Sequence, residues 1–382
     1  MLTRLLAGLF WLSVVHIVYV YVGFPLLALA RARLRPRPID ATPIEPSVVV
    51  LIAAHNEEAS IAAKVAGVLA SDYPAERLRV LVASDGSSDL TVARVEALEN
   101  SRVDVLDLPR GGKAATLNRA VDSLPSGTEV IVMSDANSLL DPAAIRMLVR
   151  PLADPEVGAV AGDQRYRAAA GAGGERSYWG LDRRLKIAES AAGSAIGATG
   201  ALYAIRRDLY RPIPGHVNDD FYCSASVVGE GRRLVFEPHA IAYEPPAGTV
   251  GNEFGRKVRI ITRALHTELA LRRLADPRRT GFYALTFVSH KVLRHLVVVP
   301  LLLLAVVTPL LATHALIYRA ALAGQAIVYG LGVAGIVSAG SRFGMIRALA
   351  LPAFFLFANG AALTALWHVV RGRRIVHWTT DR

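Results

Sequence analysis

Cysteine is almost missing from this sequence: Cys223 stands alone in 382 residues. A single thiol excludes an internal disulfide framework and a cysteine-rich zinc site, and nothing in the chain demands an oxidising compartment. Aromatic residues are scarce at 7%, and charged residues make up only 20%. Acidic residues number 32 against 43 basic ones, which leaves a formal charge of +11. So few charges beside 53% apolar residues exclude a disordered or low-complexity chain. A mean hydropathy of +0.36 on a basic chain also argues against a soluble nucleic-acid binder.

What the sequence has in quantity is long uncharged runs. None of the residues from Leu5 to Ala30 is charged, and about 20 apolar residues suffice to cross a bilayer core as a helix. Ala28-Leu29-Ala30 has the look of a signal-peptide cleavage site. The run is too long for that reading, and Arg31, Arg33, Arg35 and Arg37 follow it at once. The arginines place the residues after 31 on the cytosolic side. A second apolar block holds Leu296–Ala312, Ala320–Ala339 and Ala348–Val370, divided by Arg319 and by Arg342 with Arg347, and predicts three spans. Before it, Phe282–Leu296 carries His290, Lys291, Arg294 and His295 and suits a headgroup interface. Three crossings would leave Arg371, Arg373 and Arg374 outside, against the positive-inside tendency. Either the tail is an exception or one run is re-entrant.

The expected organisation is an N-terminal span with a basic linker at 1–45, a cytosolic domain at 46–270, and an interfacial helix with about three spans at 271–382. In the middle region, short β-branched runs alternate with helical periodicity, which predicts an α/β fold with a mostly parallel, doubly wound sheet. Strands are expected at Val48–Ala54, Val80–Ala83, Val103–Leu106 and Val130–Met133. Helices are expected at Ile61–Leu69, Val92–Leu98, Ala114–Val121 and Ala143–Val149. Ligands of such sheets collect beyond the carboxyl ends of the strands. The polar clusters His55-Asn56-Glu57-Glu58, Asp85-Gly86-Ser87-Ser88-Asp89 and Asp135-Ala136-Asn137 lie there.

Any one of these clusters is explained as a helix cap or a turn. Three at successive strand ends present more carboxylates than capping needs, so a site for a cation or a polyhydroxyl compound is the better reading. Asp135 and Asn137 can turn two oxygens to one side of an extended turn. Magnesium accepts one or two carboxylates and completes its shell with phosphates and water. Gly111-Gly112-Lys113 adds close backbone approach and a positive charge suited to phosphate. The chain has no nucleotide-triphosphatase loop, and no Gly-x-Gly-x-x-Gly follows the first strand, so kinase and dinucleotide readings drop.

In order and spacing these stretches resemble the family-2 inverting glycosyltransferases of GT-A fold, in the membrane-embedded branch of hyaluronan, chitin-oligosaccharide and cellulose synthases. The resemblance runs from Val48 to Arg263. It extends through Thr199-Gly200-Ala201, Asn218-Asp219-Asp220-Phe221 and Arg256-Lys257-Val258-Arg259-Ile260. It implies nucleotide-sugar contacts at Ala54, Asn56, Glu57, Asp85, Ser87, Lys113, Asp135 and Gly200, with Asp85 at the base. Asp135 and Asn137 would hold Mg2+ or Mn2+, Asn137 standing where the family has a second Asp. Asp220, beside Asp219, would be the general base. Arg256 and Arg259 would steady the leaving diphosphate; their bland alternative is a basic stripe at the membrane surface.

Ile260 stands where chain-building relatives carry a tryptophan, which puts processive synthesis in doubt. Tyr178, Trp179 and Tyr222 are alternative stacking rings, with Trp179 equally suited to a core. His239 and His290 receive no role. The implied protein sits in the inner (plasma) membrane as a multi-pass enzyme with its catalytic domain in the cytosol. Its implied donor is a nucleotide sugar of the UDP type and its acceptor a membrane-proximal glycan or lipid, in cell-surface polysaccharide synthesis. Membrane lipids are expected partners, nucleic acid is not, and a homo-oligomer is left open. The alternatives are a non-processive glycolipid transferase and, further off, a non-catalytic membrane assembly subunit.

Overall fold

Residues 1–166, 173–244, 253–338 and 346–375 are described in a computed structural model, with the backbone alone for 173–179 and 347. All expected catalytic, binding and metal residues fall inside these ranges. Ala339, Arg342 and the side chains of Tyr178 and Trp179 lie outside the described residues.

The chain begins as helix α1 (Leu2–Val18), passes through a wide π turn at Tyr19–Gly23 and continues as α2 (Phe24–Leu34). Pro25 lacks the N–H that would continue the regular ladder, which accounts for a wide turn just before it. The whole unit, Leu2–Leu34, is 33 residues long and apolar enough to cross a membrane. At 1.5 Å per residue it reaches about 50 Å, well beyond a core of about 30 Å. Its second half docks on the α/β domain through the buried Phe24 and Ala28.

That domain is built on β1 (Val48–Ala54), whose seven residues are all buried. A continuous apolar strand of this kind needs cover on both faces. Val48, Val50, Ile52 and Ala54 enter one core cluster, while Val49, Leu51 and Ala53 enter the other. This is the period-2 alternation of a strand. Each buried Val, Leu or Ile contributes about 1.5–3 kcal/mol.

The chain proceeds through α3 (Ile61–Leu69), β2 (Leu78–Asp85), α4 (Thr91–Glu96), β3 (Val103–Leu108), α5 (Lys113–Asp122) and β4 (Val130–Met133). These match the expected elements to within a few residues. Strands β2 and β3 run past their last expected apolar residues, since Ser84 pairs with Asp107 and Asp85 with Leu108. Then follow β5 (Leu139–Leu140), α6 (Ala144–Val149), β6 (Val157–Tyr166), α7 (Gly173–Ala192), β7 (Tyr203–Arg206), α8 (Asp219–Gly229), β8 (Arg233–Glu244) and α9 (Glu253–Ala270).

The sheet order is β3-β2-β1-β4-β7-β6-β8-β5. Its first four strands are parallel, as is the β6–β8 pair. Strand β7 is antiparallel to both β4 and β6, and β5 is antiparallel to β8. The sheet is therefore mixed, with parallel pairings in a narrow majority. The half beyond β4 is the part for which the sequence pattern named no strands.

The expected interfacial segment turns its apolar face to the domain instead of to lipid. Tyr283 and Phe287 are buried in the same core cluster as Leu51, and the Tyr283 hydroxyl donates to the Ile196 carbonyl at 2.8 Å. Phe282–His295 then meets Val298–Leu311 at a bend of 51°. Val298–Leu311 has only 14 residues, about 21 Å, so it needs its bent partner to make up a crossing. Leu316–Val337 and Ala348–Val370 are each long and apolar enough by themselves.

The basic tail returns to α9 of the α/β domain. Phe357 packs edge-on against Phe254 of α9, Lys257 lies over Phe354, and His266 meets the Arg373 carbonyl at 3.1 Å.

Candidate active site

The carboxyl ends of β1, β2 and β4 lie side by side, because Ala54 pairs with Ser84 and Leu51 with Met133. The first two polar clusters are tied to each other there. Asn56 adopts a left-handed φ of 54°, its N–H donates to Ser87 Oγ at 3.2 Å, and its Oδ1 accepts from the Ser88 N–H at 2.9 Å. Glu57 is buried and accepts from the Ser60 hydroxyl at 2.7 Å. Across the same loops the Glu58 N–H donates to Asp89 Oδ2 at 3.1 Å, and Glu58 Oε2 accepts from the Leu90 N–H at 3.1 Å. Ala54 is fully buried at the strand end.

Asp85 is turned inward with no exposed surface. Its Oδ1 accepts from the N–H groups of Gly111 at 2.7 Å and Gly112 at 2.9 Å, and its Oδ2 meets Arg110 Nη1 at 3.0 Å. Gly86 makes this approach feasible: its φ is +61°, and a Cβ there would lie 2.8 Å from the Arg110 nitrogen. The expectation of a phosphate cradle at Gly111-Gly112 is corrected by this wiring, since both N–H groups are already spent on Asp85.

Lys113 opens α5 and reaches across the cleft. Its Nζ is 2.8 Å from Asp135 Oδ1 and 2.9 Å from Asp219 Oδ2. Burial alone would lower its pKa, but the two carboxylates prevail and raise it. The Asp135 N–H donates to the Gly200 carbonyl at 2.9 Å. A Cβ on Gly200 would stand 2.6 Å from Asp135 Oδ2, so glycine leaves that oxygen room. Asn137 is half-buried two residues on. Here and elsewhere among the described residues, no group of three His, Cys, Asp or Glu is arranged to hold a metal ion.

Asp219 and Asp220 begin α8. Burial disfavours charge on both. In Asp219 the Lys113 ammonium outweighs burial and the pKa falls. In Asp220 burial, reinforced by the Asp219 charge, pushes the carboxyl up to about 6. Helix α9 holds this corner in place. The Arg263 guanidinium donates to the Val217 carbonyl, and the Asn218 N–H donates to Thr267 Oγ1 at 2.9 Å. On the same helix, Arg256 is paired with Glu253 at 2.7 Å, Arg259 is half-buried, and Ile260 is 43% exposed.

Three residues of this site escaped the sequence reading. Lys64 is 1% exposed and donates to Ser134 Oγ at 2.6 Å and the Ser138 carbonyl at 2.5 Å, gripping both ends of the loop that carries Asp135 and Asn137. Burial lowers its pKa to about 7, against the pull of Asp135 and Glu244. Glu244, at the end of β8, accepts from Ser138 Oγ at 3.0 Å and from Gln164 at 2.6 Å. Arg263 is the third. A lysine on the apolar stripe of α3 was the one available signal, since a buried amine requires partners.

The family model described as "Glycosyltransferase like family 2" matches residues 46–266. The chain belongs to this family. Among curated relatives, the N-acetylglucosaminyltransferase of Rhizobium leguminosarum bv. viciae is 26% identical over 233 residues, covering 56% of this chain and 54% of the relative. That of Rhizobium meliloti (strain 1021) is 28% identical over 238 residues, covering 54% of each. The chain thus spans about half the length of the curated relatives it matches. The mannosyltransferase PcManGT from Pyrobaculum calidifontis, solved in complex with GDP-Man and Mn2+, superposes with a TM-score of 0.73 at 22% identity, over 96% of this chain and 100% of that one. This likeness establishes the GT-A glycosyltransferase fold. The stretches that carry the resemblance all lie within the matched region, at the ends of β1, β2 and β4, at the starts of α5 and α8, just before β7 and on α9.

Proposed function

We propose that this protein transfers one sugar from a nucleotide-sugar donor to an acceptor at a membrane surface, with inversion at the anomeric carbon. The observation that carries the reading is the split between the two adjacent acids: Asp219 is fixed as an anion by Lys113, while Asp220 keeps a raised proton affinity. A base near the working pH is the most efficient proton acceptor. The acceptor oxygen forms its bond to the anomeric carbon, the bond from that carbon to the diphosphate breaks, and the acceptor proton passes to Asp220. Lys113 and Arg259 offer positive charge to the departing diphosphate. Asp85 acts on the donor through the Gly111-Gly112 loop that it holds.

Asp135 and Asn137 fit a divalent ion of the magnesium or manganese kind, with one carboxylate and one amide oxygen and the rest of the shell left to phosphates and water. Gly200 keeps Asp135 Oδ2 uncrowded for this. Such an ion, when bound, supplies further positive charge to the diphosphate.

A single transfer to a lipid-borne acceptor is favoured over chain building. Ile260 offers no aromatic face for a growing glycan to stack on. Incubating the full chain in nanodiscs with UDP- and GDP-sugars and Mg2+ or Mn2+, and following nucleotide release, tests the reading. Release with one donor that disappears in Asp220→Asn supports it; release that is equal in both proteins overturns the assignment of the base.

A further inference from the structure

Glu189, near the end of α7, has no exposed surface and stands apart from the acids of the active site. Its two oxygens hold partners from different parts of the chain. Oε2 accepts from the Ile196 N–H at 3.1 Å, and Oε1 accepts from His290 Nδ1 at 2.6 Å. A buried carboxylate is costly unless it is hydrogen-bonded, so packing alone would favour an apolar side chain here. What the carboxylate adds is direction, because it fixes where the Ile196 amide stands.

Ile196 is held from its other side as well. Its carbonyl accepts from the Tyr283 hydroxyl at 2.8 Å, so one residue is tied both to α7 and to the segment Phe282–His295. Four residues on, the Gly200 carbonyl accepts from the Asp135 N–H at 2.9 Å. The stretch between is pinned to α8. The Ala198 N–H donates to Ser224 Oγ at 3.0 Å, and a Cβ on Gly197 would lie 2.6 Å from the Phe221 ring. Pins this close together leave little slack, so a shift at Ile196 reaches Gly200 and the ring that follows Asp220.

His290 belongs to a π turn at Phe287–Val292, a rare form that recurs at functional sites. The turn contains no proline to account for it. Ser289 and His290 are both buried and serve different partners: Ser289 Oγ is 2.8 Å from the Tyr19 hydroxyl, while His290 bonds Glu189. On its other nitrogen, His290 Nε2 lies 3.6 Å from Asp182 Oδ1. The same turn presses on α8. Phe287 stacks on Phe221 with centroids 6.3 Å apart, and Lys291 lies 4.5 Å over that ring. The N-terminal helical unit, the segment leading to the C-terminal runs and the Gly200 loop thus converge on the Glu189–His290 pair.

We propose that Glu189, oriented by His290, is a positioning residue that sets the Gly200 loop against Asp135 and so ties the active site to the helices that lead to the candidate spans. The catalytic consequence rests on the function proposed above; the hold on the loop does not. Hydrogen exchange of the full chain in nanodiscs, followed by mass spectrometry without donor or metal, tests the hold. In Glu189→Ala, exchange should quicken roughly tenfold in peptides covering 195–201 and 134–138. Tyr283→Phe loses one hydroxyl, keeps its ring in the core and should quicken the same peptides about threefold, which decides the matter should Glu189→Ala not fold. Glu189→Gln should restore the wild-type pattern. Its oxygen can accept from Ile196 and its amide can donate to His290, whose ring proton then moves to Nε2, toward Asp182.

The catalytic arm is the Mn2+ concentration needed for half-maximal nucleotide release. It should rise about fivefold in Glu189→Ala, less than the roughly 10–100-fold that follows loss of a group bonded directly to a ligand, and return in Glu189→Gln. Unchanged exchange at 134–138 in both Glu189→Ala and Tyr283→Phe overturns the link to Asp135. Quickened exchange with an unchanged Mn2+ requirement overturns the positioning role and leaves a clamp of the fold. Absence of release from the wild type with every donor rejects the function proposed above, while exchange still decides whether Glu189 holds the loop on Asp135.

Discussion

The ammonium of Lys113 lies 2.9 Å from the carboxylate of Asp219, a residue more than a hundred positions further along the chain. The same ammonium is 2.8 Å from Asp135, so one cation ties the loop after β4 to the start of α8. This contact gives the two consecutive acids different characters. Asp219 is committed to a partner, and Asp220 is left under the influence of burial and of its neighbour's charge.

Asp220 is expected to impose an acid limb on activity. Burial and the Asp219 charge hold its pKa at about 6, and only the carboxylate form accepts a proton. The kcat/KM should rise with pH up to about 6 and level off above it. Asp219→Asn removes the second cause and should move the limb to lower pH. Asp220→Asn should lower kcat by about 10²–10⁴-fold. A pH–rate profile of the three proteins decides this; a limb that stays put in Asp219→Asn rejects the coupling. The same shift has a stability sign: the folded state holds this proton more tightly than the unfolded chain between pH 3.8 and about 6. Asp220 therefore costs stability as pH rises through that window.

Lys113→Met should weaken both binding and folding. It leaves Asp135 and Asp219 facing each other without their shared cation. Breaking a fully buried pair costs about 3–5 kcal/mol, and the partial exposure of Asp135 brings the expected loss below that range. Thermal melts and donor titrations check it, with Lys113→Arg expected to recover part of the loss. Full donor affinity in Lys113→Met would remove the lysine from the site.

Gly200→Ala tests the room around Asp135. The new Cβ would stand 2.6 Å from Asp135 Oδ2 and must displace the carboxylate. The Mn2+ or Mg2+ concentration needed for half-maximal nucleotide release should rise by about tenfold, the effect of roughly 1.4 kcal/mol. An unchanged metal requirement argues against Asp135 as a ligand.

Lys64→Met should alter how stability depends on pH. Burial lowers the Lys64 pKa from 10.5 to about 7, so between these values the unfolded chain binds a proton that the folded chain does not. Its contribution to stability therefore increases as pH rises from about 7 to 10.5. Urea titrations at pH 7, 8 and 9 should show this gain in the wild type and lose it in Lys64→Met. Parallel slopes in the two proteins contradict the buried amine's titration.

The sequence by itself determined the elements that rest on local pattern. The seven-residue apolar run at Val48–Ala54 could bury both faces only as a central strand, and strict apolar length marked Leu5–Ala30 and the C-terminal runs as candidate spans. The same pattern put Asp85, Asp135 and their neighbours at strand ends, where ligands gather. What a side chain does there was decided by tertiary structure. Asp85 is exposed in no direction because a loop 26 residues away folds its N–H groups onto it, and the Gly111-Gly112 backbone is thereby lost to phosphate. Lys64 reads as a helix residue on an apolar face until the loop after β4 closes over it. The tail's place beside α9 is unreadable until Arg373 meets His266. Periodicity is a property of neighbours in sequence, whereas burial, ion pairing and proton affinity depend on which distant groups share a low-dielectric space, and only the packed chain brings those groups together.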